Sequence, residues 1–171
     1  MTLLGYKTIG TGEQTLLILH ELMGDHRNYD SILPYLNPKK FTYIFTDLRG
    51  YGLSKHLMGT YTCEEASNDV KNLISHLGLK KIHLIAHSMS TMIAQKIAII
   101  DKEHIQSLVL VTPLPASGIK MTQKAQDVLL KKMQENKNKL EELLKIEEKT
   151  YENFIHPFAQ MGEELEQFCT P

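Results

Sequence analysis

The stretch KIHLIAHSMSTMIAQKIAII, residues 81–100, changes character in its middle. Its first part, KIHLIA (81–86), is short, apolar and rich in β-branched side chains, the composition of a buried strand. From Met89 onward the apolar residues take helical spacing. Between the two lie His87 and Ser88, so strand passes to helix through a sharp turn with a serine at its apex. Small residues stand two positions to either side, Ala86 and Ser90. They let strand and helix approach without a clash between side chains.

Working outward, three more runs read as buried strands: TLLILH (15–20), FTYIFTD (41–47) and QSLVLVT (106–112). Helical spacing occupies 29–36, 63–77 and 89–100. In the middle one Ala66, Val70, Leu73, Ile74 and Leu77 share a face, Thr62 and Glu65 have the spacing of a capping box, and Gly78 is a stop signal. Strands apolar on both faces that alternate with helices require crossover connections. The fold class is therefore α/β, a mostly parallel sheet flanked by helices. After Gly118 the pattern turns helical and polar, over 122–146 and 151–168, with Ala125, Val128, Leu129 and Met133 on one stripe and Leu140, Leu143 and Leu144 on another. The expected organisation is a core over 1–118 followed by a helical segment over 119–171, whose interleaved Glu and Lys read as a solvated face.

A length of 171 residues suits about one domain, and 42% hydrophobic residues supply a core. With 19 Lys and Arg against 20 Asp and Glu, the net charge is -1. That leaves no cationic surplus for a phosphate backbone or an anionic bilayer, so no nucleic acid and no membrane is expected as a partner. No apolar run approaches the ~20 residues of a bilayer span and no secretory signal pattern opens the chain, so a cytoplasmic location is expected. Cys63 and Cys169 form no C-x-x-C pair and read as buried or idle thiols. Gly10-Thr11-Gly12 and Gly50-Tyr51-Gly52 lack the third glycine of a dinucleotide fingerprint, and no H-E-x-x-H accompanies His20, His26, His83 and His87. Neither a cofactor nor a metal is expected.

In an open parallel sheet, ligands collect at the carboxyl ends of the strands. Three turns there carry a family pattern. Ala86-His87-Ser88-Met89-Ser90 resembles the nucleophile elbow, G-x-S-x-G, of the α/β-hydrolase superfamily, with both glycines replaced. His20-Glu21-Leu22-Met23-Gly24 stands where that family carries its H-G-x-x-G oxyanion loop, with Glu21 at the usual glycine position. Asp47-Leu48-Arg49-Gly50-Tyr51-Gly52-Leu53-Ser54 is similar to the family's D-x-R-G-x-G-x-S stretch. The resemblance, running from about Leu4 to Gly118, implies Ser88 as nucleophile and the backbone N–H groups of Leu22 and Met89 as oxyanion hole. It implies His20, Glu21 and His87 as walls of a substrate pocket, with the Glu21 carboxylate turned to water, and Asp47 and Arg49 as turn scaffolding. The segment 119–171 looks like the start of a cap. A small-molecule substrate is implied, a largely apolar ester or related acyl compound, with no cofactor; a serine at the elbow argues against dehalogenases, which place an aspartate there.

A serine hydroxyl needs an imidazole to take its proton and a carboxylate to orient that imidazole. The family supplies them later in the chain. Here the histidines after Ser88 are His104, at the wrong edge of the sheet, and His156 in the helical segment, while the later aspartates are Asp101 and Asp127. The acid and histidine of the triad stay unidentified. The expectation is a chain that carries the first part of the fold, with the final two strands absent, and that is impaired as an enzyme on its own. The alternative is a non-catalytic remnant or binding module of the same fold. Either way the strand 106–112 becomes an open sheet edge, and marginal stability or self-association through it is expected.

Overall fold

The computed structural model describes residues 3–118 and, beyond them, residues 122–124, 127, 128, 131, 132 and 135. The chain divides into two compact units, Met1–Ser117 and Gly118–Pro171. In the first, five strands form one sheet: β1 (Tyr6–Ile9), β2 (Gln14–Leu19), β3 (Phe41–Thr46), β4 (Ile82–His87) and β5 (Ile105–Val111). Their order is β1-β3-β2-β4-β5. β2, β3, β4 and β5 run parallel, and β1 is antiparallel on β3. The four expected strands are present, each within a residue or so of its anticipated bounds. β1 escapes the sequence pattern because four residues, YKTI, are too few to show a period.

Helix α1 (Cys63–His76) connects β3 to β4, and α2 (Ser90–Ile100) connects β4 to β5. α1 starts where expected: the Thr62 side chain accepts from the Glu65 N–H at 3.1 Å. The box is only half closed, since the Glu65 carboxylate takes the N–H groups of Thr60 and Tyr61 instead of that of Thr62. Gly78, at φ +63°, ends the helix with Leu79 N–H returning to Ile74 O. The helix expected at 29–36 is corrected: the connection is a 3-10 helix over His26–Tyr35. Pro34 removes a donor from it, and no residue of it is fully buried, so packing does not enforce α geometry.

The register of the parallel strands makes two faces. Leu17, Ile44 and Leu84 stand abreast on one, all buried; Val70, Leu73 and Ile74 of α1 and Ile93 and Ile97 of α2 complete the buried set. On the other face Ile18, Tyr43 and Phe45 are buried, with Tyr29, Leu33 and Leu36 of the 3-10 connection packed against them. Burying a Leu or Ile side chain contributes about 1.5–3 kcal/mol, so this two-sided core is the main source of stability. β5 differs, with none of its residues fully buried and Val109 and Val111 47% and 43% exposed. It is one of the two edges of the sheet among the described residues, β1 being the other. Most of the expected 119–171 segment lies outside the described residues; the described positions 123, 124, 127, 128, 131, 132 and 135 are helical. Among the described residues no helix is long and apolar enough to cross a membrane.

The same register aligns Leu19, Thr46 and Ala86 at the carboxyl ends of β2, β3 and β4. The turns that follow these three strands are therefore neighbours. These are the turns that carry the candidate chemistry.

Candidate active site

Ser88 stands between the end of β4 and the start of α2, half-buried, with φ +52°. An L-residue in that left-handed region costs of order 1–3 kcal/mol and persists only where its surroundings impose it. The surroundings are visible. Ser88 N–H donates to Val111 O of β5 at 2.9 Å, and its carbonyl accepts from Thr91 N–H at 3.0 Å and from the Thr91 hydroxyl at 2.5 Å. The Ser88 hydroxyl itself has no hydrogen bond among the described residues.

Ser90, at the second glycine position of the elbow, does more than stay small. It is fully buried, and its hydroxyl lies 3.1 Å from Leu19 O of β2 and 3.0 Å from His87 O, while accepting from His87 N–H at 3.1 Å. The one proton serves one carbonyl at a time, so the serine ties the elbow to the neighbouring strand. Ala86, fully buried, fills the first glycine position.

The turn after β2 begins with His20, and here the sequence expectation needs correction. His20 is completely buried, with Nδ1 2.7 Å from Glu21 O and Nε2 3.0 Å from Leu48 N. A carbonyl only accepts and an amide N–H only donates, so the proton sits on Nδ1 and both ring nitrogens are used. His20 is a peg between the turns after β2 and β3, not a pocket wall, because it offers no polar atom to a substrate. Burial holds its pKa below the ordinary 6.5, against the raising effect of the Glu21 carbonyl and nearby carboxylates.

Glu21 departs from expectation too. Its carboxylate does not simply face water but is held between Asn28 Nδ2 and His87 Nδ1, the latter at 3.1 Å. Partial burial pushes its pKa up, but hydrogen bonds from its own N–H, Asn28 and His87 prevail and hold it below the ordinary carboxylate value. This contact joins the residue before Leu22 to the residue before Ser88, so the turn after β2 is tied to the turn after β4. Leu22 is half-buried and Met89 is the N-cap of α2. Neither of their N–H groups has an acceptor among the described residues. His87 is 35% exposed at its side chain.

The turn after β3 is scaffolding. Asp47, fully buried, accepts from His26 N–H at 2.7 Å, His26 Nδ1 at 2.8 Å and Leu53 N–H at 2.7 Å. Ser54 donates to Asp47 O and accepts from Gly5 N–H. Gly52 is required: a Cβ there would sit 2.3 Å from Asp47 Oδ2, and its φ is +43°. Arg49 forms a forked pair with Asp69 of α1 at 2.7 and 2.8 Å and donates to Met58 O.

Several participants were invisible in the sequence. Thr91 and Gln95 of α2 hold Leu114, just beyond β5, through Thr91 Oγ1 with Leu114 N–H (2.9 Å) and Gln95 Nε2 with Leu114 O (2.8 Å). Asn28 and His26 likewise act through contacts that no motif marks. His104 lies before β5, at the opposite end of the sheet from Ser88, and pairs with Asp101 at 2.8 Å. Among the described residues no acid or imidazole follows Ser88 at the carboxyl end of a strand; His156, like Cys169, lies outside the described residues.

Residues 14–164 match the family model described as alpha/beta hydrolase fold. The chain is 30% identical over 110 residues to a soluble epoxide hydrolase of Corynebacterium sp. (strain C12), covering 64% of this chain and 38% of that protein. It is 31% identical over 109 residues to an sn-1-specific diacylglycerol lipase of Danio rerio, covering 63% of this chain and 34% of that protein. It thus spans well under half the length of these relatives. Among solved structures, the esterase from Exiguobacterium antarcticum superposes with TM-score 0.74 at 19% identity, over 98% of this chain and 69% of that one. A hydrolase from Oleispira antarctica gives 0.71 at 21% identity, over 95% and 68%.

Proposed function

This chain belongs to the α/β-hydrolase fold family, and on that premise we propose that it carries the nucleophile and oxyanion half of a serine hydrolase acting on a small, largely apolar ester or related acyl compound. The observation that carries this reading is Ser88 at φ +52° on the strand-to-helix turn, with its hydroxyl unengaged among the described residues. In this reading Ser88 Oγ attacks the acyl carbon, and the N–H groups of Leu22 and Met89 hold the oxygen that gains negative charge. Such preorganised donors are worth ~10²–10³ in turnover each. The Glu21–His87 contact keeps the two donor-bearing turns in register. Its carboxylate charge is engaged by two donors, which limits its repulsion of the developing oxyanion.

The general base and its orienting acid come from beyond the described residues, in this chain or in the remainder of a longer protein. His104 does not serve, since it sits at the far end of the sheet. Without a base, Ser88 keeps only the residual rate enhancement of the oxyanion hole and binding. This favours a second reading, a non-catalytic module of the same fold. Fluorophosphonate labelling and p-nitrophenyl ester turnover of the protein and of Ser88→Ala separate the two. The enzyme reading expects labelling that disappears in Ser88→Ala, with turnover falling by up to ~10⁴–10⁶ when the triad is complete. Equal silence of both proteins overturns it.

A further inference from the structure

The end of the sheet opposite Ser88 carries a second cluster of polar side chains that the hydrolase reading leaves unused. Asp101 is the C-cap of α2 and its side chain is 2% exposed. Its Oδ1 takes His104 Nδ1 at 2.8 Å, but its Oδ2 is buried and has no hydrogen-bond partner among the described residues. A buried carboxylate oxygen left bare is costly, and here it lies at the negative end of a helix dipole. Glu103 brings a second carboxylate to the same place. One donor atom from each of Asp101, Glu103 and His104 lies within 4.8 Å of the others.

The neighbouring cations do not neutralise the bare oxygen in the described structure. The Lys81 ammonium is held by the Glu103 backbone carbonyl at 2.7 Å. His104 engages only Oδ1. We propose that Asp101, Glu103 and His104 form a binding site for a divalent transition cation of the zinc type. Two carboxylates and one imidazole are a suitable donor set for such an ion, with further positions left for water. Donors ~2.0–2.1 Å from one tetrahedral ion lie about 3.3 Å apart, so where the ion takes Asp101 Oδ1 and His104 Nδ1, now 2.8 Å apart, it replaces the proton they share, which leaves to solvent, and the pair opens by only about half an ångström. His104, 28% exposed at its side chain, sits where such an adjustment is possible. The bound ion would pin the end of α2 to the start of β5, a structural rather than catalytic role.

The one other comparable grouping among the described residues, Asp25, His26 and Asp47, is a contrast. There both oxygens of Asp47 accept from His26 and Leu53, and Asp25 is engaged by Arg27. No carboxylate oxygen in it is left bare.

The test is titration of the EDTA-treated protein with Zn²⁺ by calorimetry and with Co²⁺ by visible absorption, alongside thermal unfolding. The proposal expects one equivalent bound and a rise in Tm on zinc addition. Glu103→Gln, an exposed substitution that leaves the fold intact, weakens binding about tenfold or more, and His104→Gln does likewise. His87→Gln, at the opposite end of the sheet, leaves it unchanged. No uptake above the buffer control, or uptake undiminished in both Glu103→Gln and His104→Gln, overturns the proposal; the outcome is independent of whether Ser88 reacts.

Discussion

The turn after β3 and the turn after β4 lie at the same end of the sheet, with the turn after β2 between them, and treat their polar atoms in opposite ways. Around Asp47 the donors and acceptors are spent on one another: a buried carboxylate takes three hydrogen bonds, and Ser54 closes the loop back to Gly5. Around Ser88 the hydroxyl and two N–H groups stay unengaged among the described residues, and the backbone is strained. The first turn is closed on itself; in the proposed function the second keeps the reacting atoms available. Preorganised donors can stabilise developing charge only if something else fixes them in place. Here that support is Asp47, the His20 peg, the Ser90 tie, the bond from Ser88 N–H to Val111 O and the bonds from Thr91 to Ser88 O.

The comparison is sharpest at Asp47. Asp47→Ala leaves three donors without their buried acceptor and is expected to cost about 3–5 kcal/mol, read as a lower urea midpoint. A loss under about 1 kcal/mol would show that the turn is not the scaffold described. Ser90→Gly comes next. It restores the family's glycine while removing the link to Leu19, so stability should fall by about 1–2 kcal/mol with labelling of Ser88 retained; unchanged stability would make the hydroxyl dispensable.

Acid pH separates the pegs by their ionisation. His20 is held neutral by burial, with its folded pKa below 6.5, so its contribution is complete above that value and is lost as pH falls below it. Glu21 is also depressed, so its contribution is present above the ordinary 4.5 and is lost as pH falls further. Unfolding measured from pH 8 to pH 4 should show the first loss near the histidine range, and His20→Gln should flatten that part of the curve; a curve of unchanged slope in the variant would remove His20 from this role. The smallest effect on stability is expected at the β5 edge. Val109→Lys should change it by no more than about 0.5 kcal/mol while lowering any self-association seen by sedimentation, since a charge on an open edge opposes strand addition. Equal association of both proteins would put the contact elsewhere.

Much of the fold was legible because parallel strands buried on both faces leave continuous apolar runs, and because α1 carries its stripe, cap and stop in plain order. The 3-10 connection was not, since Tyr29, Leu33 and Leu36 do have helical spacing while Pro34 and incomplete burial decide the geometry. At the site, Ser88 and the two flanking turns were legible as motifs. The environments of His20 and Glu21 were not: adjacent in sequence, one is sealed in the interior and the other is bound to His87 across the sheet.

The amino-acid sequence alone established the α/β class, the strand-to-helix turn at Ser88 and the likeness of three turns to one family, because periodicity and turn chemistry are local properties. Strand order, register and burial decided the rest. They placed Glu21 against His87, turned Ser90 into a tie to β2, and left one oxygen of Asp101 bare at the far end. The first two are pairings between residues far apart in the chain, and which polar atoms meet is determined only when the sheet brings their strands together.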